Sequence, residues 1–331
     1  MQAICVTASR DLEVRDIPAP GAPAAGHVLV AMQASAINHG DRTFLKMPLT
    51  AGPSIPSSRM DVWGASGAGR VVAVGDGVPA DYAGKQVAIY RSLTRSADTV
   101  GLWCETAAVP YTSCLILPDE VRAKDYCGSL VNVMTAYAFL DEIVEAGHRG
   151  IVVTAGSSAT GYALAALARE RRLPAIFLVR SEAARAALCR MGVEHVLVTT
   201  EGFVDQLAIL AAELQATAVF DGVGGALLEK VAPALPMNAT IYCYGFLGAA
   251  APTAMHTTLF MLKNLTIRRF SNFESPTVKQ PARLVAALRA LEKVIADPMF
   301  ATWLGPEFRY RQIDEAMAYV ASDGAKAVLV S

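Results

Sequence analysis

The sequence predicts an α/β chain in which a doubly wound parallel-sheet domain is inserted into a second, mostly β lobe. Between residues 125 and 262 short apolar runs alternate with helical stretches, the pattern of a parallel sheet with helical crossovers. Residues 1 to 120 instead read as strand and turn. The closing residues return to helix and a terminal strand, so both chain ends fall in the same lobe.

The elements follow in order. The opening MQAICVTASRDLEV alternates like a strand, and it lacks the basic start and apolar core of a signal peptide. Residues 19–26, rich in Ala, Pro and Gly, read as a loop. Strands are expected at Val28–Ala34 and Gly69–Val74. Gly75-Asp76-Gly77 marks a turn, and Gly84-Lys85-Gln86 leads into a strand at Val87–Tyr90. In the inserted domain strands are expected at 151–154, 175–179, 195–198, 217–220 and 240–244. An amphipathic helix at Pro281–Ala296, a second at Ile313–Ser322 and a strand at Ala327–Val330 complete the chain. A cleft between two such lobes is the usual meeting place of cofactor and substrate.

Composition narrows the function. The chain has 331 residues, 53% hydrophobic and 18% charged, with 29 Lys plus Arg against 30 Asp plus Glu. At a net charge of −1 there is no basic field for nucleic acid or for a membrane surface. No apolar run reaches the ~20 residues of a spanning helix. The six cysteines stand singly, without a C-x-x-C pair, which argues against a structural zinc and a disulfide framework. A cytoplasmic protein with reduced thiols is expected.

The stretch Ile151–Ala168, IVVTAGSSATGYALAALA, carries the strongest chemical signal. An apolar strand, a turn of small residues and a helix start form the unit that seats a dinucleotide pyrophosphate. The helix N-terminus offers unpaired amides, and small side chains let the backbone approach the phosphates. Ser157, Ser158, Ala159, Thr160 and Gly161 are the expected turn. The next strand, AIFLV at 175–179, ends at Arg180-Ser181, where a carboxylate would otherwise meet an adenosine ribose. A cation there favours the 2′-phosphate of NADP, so NADPH is the expected cofactor. A merely solvated Arg180 is the other reading.

Five motifs, in order, resemble the medium-chain dehydrogenase/reductase superfamily. Ser35–Asp41 resembles its "N-P-x-D" segment and Gly67–Gly75 its "AG-x-V-x-x-VG" strand and turn. Val131–Tyr137 is similar to the "N-x-x-TAY" helix of enoyl reductases. Asp221–Gly225 resembles the "D-x-VGG" turn, and Asp323–Leu329 the closing "G-K-x-V-L". The resemblance covers essentially the whole chain and falls nearest the zinc-independent quinone oxidoreductases and 2-enoyl thioester reductases. It implies a GroES-like catalytic domain over 1–123 and 265–331 and a Rossmann domain over 124–264. It also implies a homodimer formed through the dinucleotide lobe, with the apolar stretch Ala239–Tyr244 near an unpaired sheet edge.

The departures are informative. Zinc-dependent members carry a cysteine where Asn38 stands, and a histidine and glutamate where Ala65 and Ser66 follow Gly64. Three protein ligands are therefore missing, and no metal is expected. The tyrosine that many reductases place shortly after "N-P-x-D" is absent from Arg42–Leu49, and His39 replaces the proline. Tyr90, Tyr137 and Tyr244 are the candidate proton donors left, unranked by position.

By resemblance Asn132 and Thr135 border the nicotinamide or its ribose, with helix capping as the other reading. Val223 and Gly224 belong to the "D-x-VGG" turn. Tyr244, Gly245 and Phe246 hold the nicotinamide amide or form a tight turn with a core aromatic. Phe270 and Asn272 line a cofactor and acyl pocket or pack in the core, together with Phe273. Lys326 reaches a cofactor phosphate or caps the last strand. Asp41 and Asp221 sit in turns, where carboxylates accept backbone hydrogen bonds. The activity implied is NADPH-dependent, metal-independent hydride transfer to a quinone or α,β-unsaturated carbonyl, with Asn38 polarising the acceptor. A non-catalytic NADPH-binding sensor or scaffold is the alternative.

Overall fold

The computed structural model describes residues 1–46, 58–248, 252–321 and 324–331. Residues 47–49 of the segment lacking a tyrosine, Ser322 at the end of the expected second helix and Asp323 of the closing motif lie outside the described residues. The chain divides into two units, one formed by residues 1–132 and 280–331, the other by 133–279.

The first unit opens with a separate hairpin, β1 (Gln2–Val6) and β2 (Leu12–Asp16). Its main sheet begins with β3 (His27–Ala36), followed by α1 (His39–Lys46), β4 (Ser66–Val74), β5 (Gln86–Tyr90), β6 (Thr106–Pro110) and β7 (Cys114–Ile116). The ten-residue β3 pairs antiparallel with both β4 and β6. Gly69 is required on β4, because a Cβ there would lie 2.1 Å from the Ala31 carbonyl oxygen of β3. Val28, Val30, Val71, Val87, Ile89 and Leu102 are fully or almost fully buried at the centre of this unit.

Helix α2 (Leu130–Glu145) leads into the second unit. Its strands are β8 (Ile151–Val153), β9 (Ala175–Val179), β10 (His195–Val198), β11 (Ala218–Asp221), β12 (Thr240–Cys243) and β13 (Thr266–Arg269). The crossovers are α3 (Ala159–Glu170), α4 (Glu182–Arg190), α5 (Phe203–Glu213), α6 (Gly225–Val231) and α7 (Thr257–Lys263), and a short α8 (Pro276–Lys279) follows. All neighbours pair in parallel, in the order β10-β9-β8-β11-β12-β13. The IVV and AVFD runs are buried throughout because helices cover both faces, which is why they read as continuous rather than alternating apolar segments. The order reverses between β8 and β11, the switch point at which doubly wound sheets bind ligands.

The five strands expected here are present. Ala239–Tyr244 does lie near the sheet edge, but the expectation that it is itself unpaired is corrected: β12 is paired on one side by β11 and on the other by β13. The edge is β13, and the parallel sheet therefore runs beyond residue 264.

The chain then returns to the first unit with α9 (Pro281–Glu292), β14 (Leu304–Arg309), α10 (Ile313–Ala318) and β15 (Lys326–Val330). Strand β15 pairs antiparallel with the end of β3, and the sheet order becomes β14-β15-β3-β4-β5-β7. The Ile37 amide donates to the Ala327 carbonyl at 3.0 Å, so the last strand is anchored beside Asn38.

Candidate functional site

In the second unit the switch point is tied together by one carboxylate. Thr154, just past β8, donates its hydroxyl to Asp221 Oδ1 at 2.7 Å. Asp221, 1% exposed, also accepts from the Val223 amide at 3.2 Å and the Gly224 amide at 3.1 Å. The Gly222 amide donates back to the Thr154 hydroxyl at 3.1 Å. With its oxygens so engaged, Asp221 is a strut joining the ends of β8 and β11.

The turn Ala155–Ser158 then enters α3. The Ser158 hydroxyl caps the helix by accepting from the Gly161 amide at 3.0 Å. A Cβ on Gly161 would lie 2.2 Å from the Gly156 carbonyl oxygen, so only glycine lets the loop close this tightly. Ser157 and Ser158 are half-buried, Ala159 is exposed and Thr160 is buried. A turn of small residues at a helix start fits a pyrophosphate.

Tyr244 continues from β12 and lies over this turn. Its ring stacks on Phe220, with centroids 3.9 Å apart and planes 6° from parallel. The phenol hydrogen-bonds with the hydroxyls of Ser158 and Thr160, and burial pushes its pKa up to about 12. A Cβ on Gly222 would meet the phenol oxygen at 2.6 Å, which leaves glycine as the residue that accommodates the ring. Thus Ser157, Ser158, Ala159, Thr160, Gly161, Val223, Gly224, Tyr244 and Gly245 gather around the switch point. Phe246 points outward, 58% exposed.

Arg180 sits exposed at the end of β9 and forms no side-chain hydrogen bond or ion pair among the described residues. Ser181 caps α4 by accepting from the Ala184 amide at 3.3 Å. Thr135 accepts from Asn272 Nδ2 at 3.1 Å. Phe270 is buried against Phe139 and Phe220, at 5.5 and 5.3 Å between centroids, in a core aromatic cluster. Tyr137 stacks beneath the Arg171 guanidinium, 4.3 Å from its ring centre. Asn132, at the start of α2, donates its side-chain amide to the Gly128 carbonyl at 2.8 Å.

The first unit holds a second constellation, built from side chains far apart in sequence. Asn38 is 8% exposed and follows β3. Its Nδ2 donates to Ser66 Oγ at 2.6 Å and to Asp41 Oδ2 at 3.2 Å. Asp41, in the first turn of α1, is fully buried and accepts from the amides of Asn38 at 2.8 Å and Ala65 at 3.0 Å. Burial raises its pKa, and those amide donors oppose the rise. Arg91, just past β5 and 3% exposed, faces Asp41; burial lowers its pKa to about 10. Lys326 opens β15 and donates to Asn38 Oδ1 at 2.6 Å and to the Gly128 carbonyl at 3.1 Å. Burial of its ammonium lowers the pKa to about 8, against the pull of Cys127 and Asp41.

Ala65 and Ser66 therefore border a hydrogen-bonded network containing a lysine ammonium. Among the described residues no group of three or more His, Cys, Asp or Glu side chains is placed to hold a metal ion. Sequence reasoning missed Arg91 and the position of Lys326. The available signal for Arg91 was a cation directly after the apolar run VAIY.

Residues 24–119 match the family described as the alcohol dehydrogenase GroES-like domain, and residues 159–287 the family described as zinc-binding dehydrogenase. Together these matches span more than half of the chain. The chain is 28% identical over 230 residues to the human synaptic vesicle membrane protein VAT-1 homolog, covering 69% of this chain and 55% of that protein. It thus spans about half the length of that relative. It is 25% identical over 250 residues to the mitochondrial enoyl-[acyl-carrier-protein] reductase of Bos taurus, 74% of this chain and 64% of that one. A provisionally named NADPH:quinone reductase of Mesorhizobium loti has a similar structure, with a TM-score of 0.74 at 25% identity, over 100% of this chain and 97% of that one.

Proposed function

This chain belongs to the medium-chain dehydrogenase/reductase superfamily, in its zinc-independent quinone and enoyl reductase branch, and from that premise we propose that it is an NADPH-dependent, metal-independent reductase of quinones or α,β-unsaturated carbonyls. The observation that carries the reading is the Lys326 ammonium 2.6 Å from Asn38 Oδ1. A cation stands beside the residues that replace the metal ligands of zinc-dependent relatives, and like charge opposes a metal ion there.

The cofactor, when bound, supplies the hydride; the protein's residues bind and orient it and stabilise developing charge. Ser157–Gly161 at the N-terminus of α3 would hold the pyrophosphate, and Arg180 the adenosine 2′-phosphate. Val223, Gly224, Tyr244 and Gly245 border the same switch point, and Ser181 stands beside Arg180. Reducing a simple ketone puts charge directly on oxygen, which zinc-dependent relatives stabilise with their metal. An enone or quinone spreads that charge over a conjugated system, so hydrogen-bond donors suffice. Assembly as a homodimer through the β13 edge, where Ile267 is 41% exposed, would pair an otherwise open strand. Light scattering that gives a stable monomer at micromolar concentration would remove this part. Among the described residues no helix is long and apolar enough to cross a membrane. Buried thiols at Cys5, Cys104, Cys114 and Cys127 suit the reducing cytoplasm.

The test is turnover by purified protein with NADPH against a panel of quinones and enones, beside secondary alcohols with NADP⁺. Reduction of the conjugated acceptors is expected. Alcohol oxidation with the conjugated acceptors untouched would overturn the reading, and tight NADPH binding without any turnover would point to a sensor.

A further inference from the structure

We infer that Lys326, and not Asn38, presents the hydrogen-bond donor to the acceptor oxygen, and that Asn38 is a positioning residue for it. The inference rests on the reductase reading above. It follows from counting donors. An ammonium cannot accept, so the Asn38 atom 2.6 Å from Lys326 Nζ must be the amide oxygen. The amide nitrogen then faces Ser66 Oγ at 2.6 Å and Asp41 Oδ2 at 3.2 Å, and both of its hydrogens are engaged. Asn38 has no donor left to polarise a carbonyl. Ser66 is fully buried, which withholds its hydroxyl as well.

Lys326 is in the opposite position. Of its three N–H groups, one meets Asn38 Oδ1 and one the Gly128 carbonyl at 3.1 Å. The third has no acceptor among the described residues, although the residue as a whole is only half-buried. A Cβ on Gly128 would lie 3.2 Å from Lys326 Cδ, so the glycine allows the stem to lie flat on the chain. Two fixed acceptors and a packed stem aim the remaining donor in one direction. The titratable groups facing it are Asp41 from α1 and the Cys127 thiol from the segment before Gly128, which burial keeps protonated with its pKa pushed up to about 12; Arg91 in turn faces Asp41. None of these needs to move for the ammonium to donate a third bond.

In the reaction a hydride adds to the carbon β to the carbonyl and the carbon–carbon π pair shifts toward the oxygen. NADPH becomes NADP⁺, and a proton from solvent completes the product. Lys326 holds the oxygen as it gains charge, a hydrogen bond that strengthens in the transition state and needs no metal. This division of labour also gives Lys326 a role other than grasping a cofactor phosphate.

The test compares Lys326→Met and Lys326→Arg with the wild type through three readouts: kcat on a reactive quinone or enone, the dissociation constant for NADPH, and binding of substituted phenolates as oxyanion mimics to the NADP⁺ complex. Lys326→Met should lower kcat by about 10²–10³-fold, the usual cost of one such donor, and weaken phenolate binding, while NADPH affinity holds. Lys326→Arg keeps the charge and should recover part of both effects. The wild-type kcat should fall as pH rises through about 8, where the lysine loses its proton, and that limb should vanish in Lys326→Met. Unchanged kcat and phenolate binding in a folded Lys326→Met variant would overturn the inference. So would a loss of NADPH affinity with phenolate binding intact. A wild type that reduces neither quinones nor enones would instead defeat the reductase reading, while the phenolate measurement still reports on the Lys326 donor.

Discussion

The small-residue turn of the second unit and the polar cluster of the first are built by opposite means. The turn is contiguous and made largely of backbone. Six residues from Gly156 to Gly161 close it, and Gly156 and Gly161 are needed for lack of a side chain. The cluster is made of side chains from five places in the chain, and Lys326 meets Asn38 across 288 positions. Each of its members is charged or polar and largely withdrawn from water. The turn therefore costs little to keep and tolerates variation outward, whereas the cluster holds buried charge that only mutual hydrogen bonding offsets.

That contrast can be broken most severely at Asp41. Asp41→Ala leaves the Asn38 and Ala65 amides without an acceptor in a fully buried site and strips Arg91 of its facing carboxyl. A loss of about 3 kcal/mol in denaturant-derived stability is expected. A loss under one kilocalorie would mean that the cluster relaxes as freely as a surface loop.

A pH measurement sharpens the same point. The folded-state pKa of Lys326 is lowered from 10.5 to about 8, so between those values the unfolded chain binds more protons and stability rises with pH. Below pH 8 the full cost of the buried ammonium is present; above it the cost is relieved. Allowing for the side chain's part exposure, wild type should gain roughly 2 kcal/mol on Lys326→Met across this window. The difference between the two melting curves isolates the lysine from the buried tyrosines and cysteines that titrate nearby. A flat difference would contradict a desolvated ammonium.

The turn region should respond more locally. Arg180→Ala removes an exposed side chain that no other residue engages, so folding stability should not change. NADPH binding should weaken by about 1.5 kcal/mol, roughly tenfold, while NADH binding stays as it is. Equal dissociation constants for the two cofactors in the wild type would remove Arg180 as the selecting residue.

The difference in construction also explains what could be read in advance. Parallel strands covered on both faces leave continuous apolar runs, and Ile151–Val153, Ala175–Val179 and Thr240–Cys243 stand out accordingly. β13 did not, since TIRR is exposed at all four positions and carries two arginines, as an edge strand can. Its omission left Ala239–Tyr244 as the apparent unpaired strand near the edge. In the turn, the Ser-Ala-Thr-Gly run announces itself because so tight a strand-to-helix closure demands small residues in a row. No such local rule marks the cluster. Asn38 was visible as a replaced metal ligand, but the orientation of its amide depends on Lys326, and that pairing exists only once β15 lies against β3. Arg91 follows an apolar strand, and nothing adjacent in sequence points to Asp41 as the group it faces.

The central claim, that a hydrogen-bonded lysine cluster serves where zinc-dependent relatives use a metal, is tested most directly by the turnover rate of protein stripped with a chelator. Quinone or enone reduction with NADPH should proceed at the full rate after stripping, and added zinc should not raise it. A rate that collapses on stripping and returns with one equivalent of zinc would contradict the account.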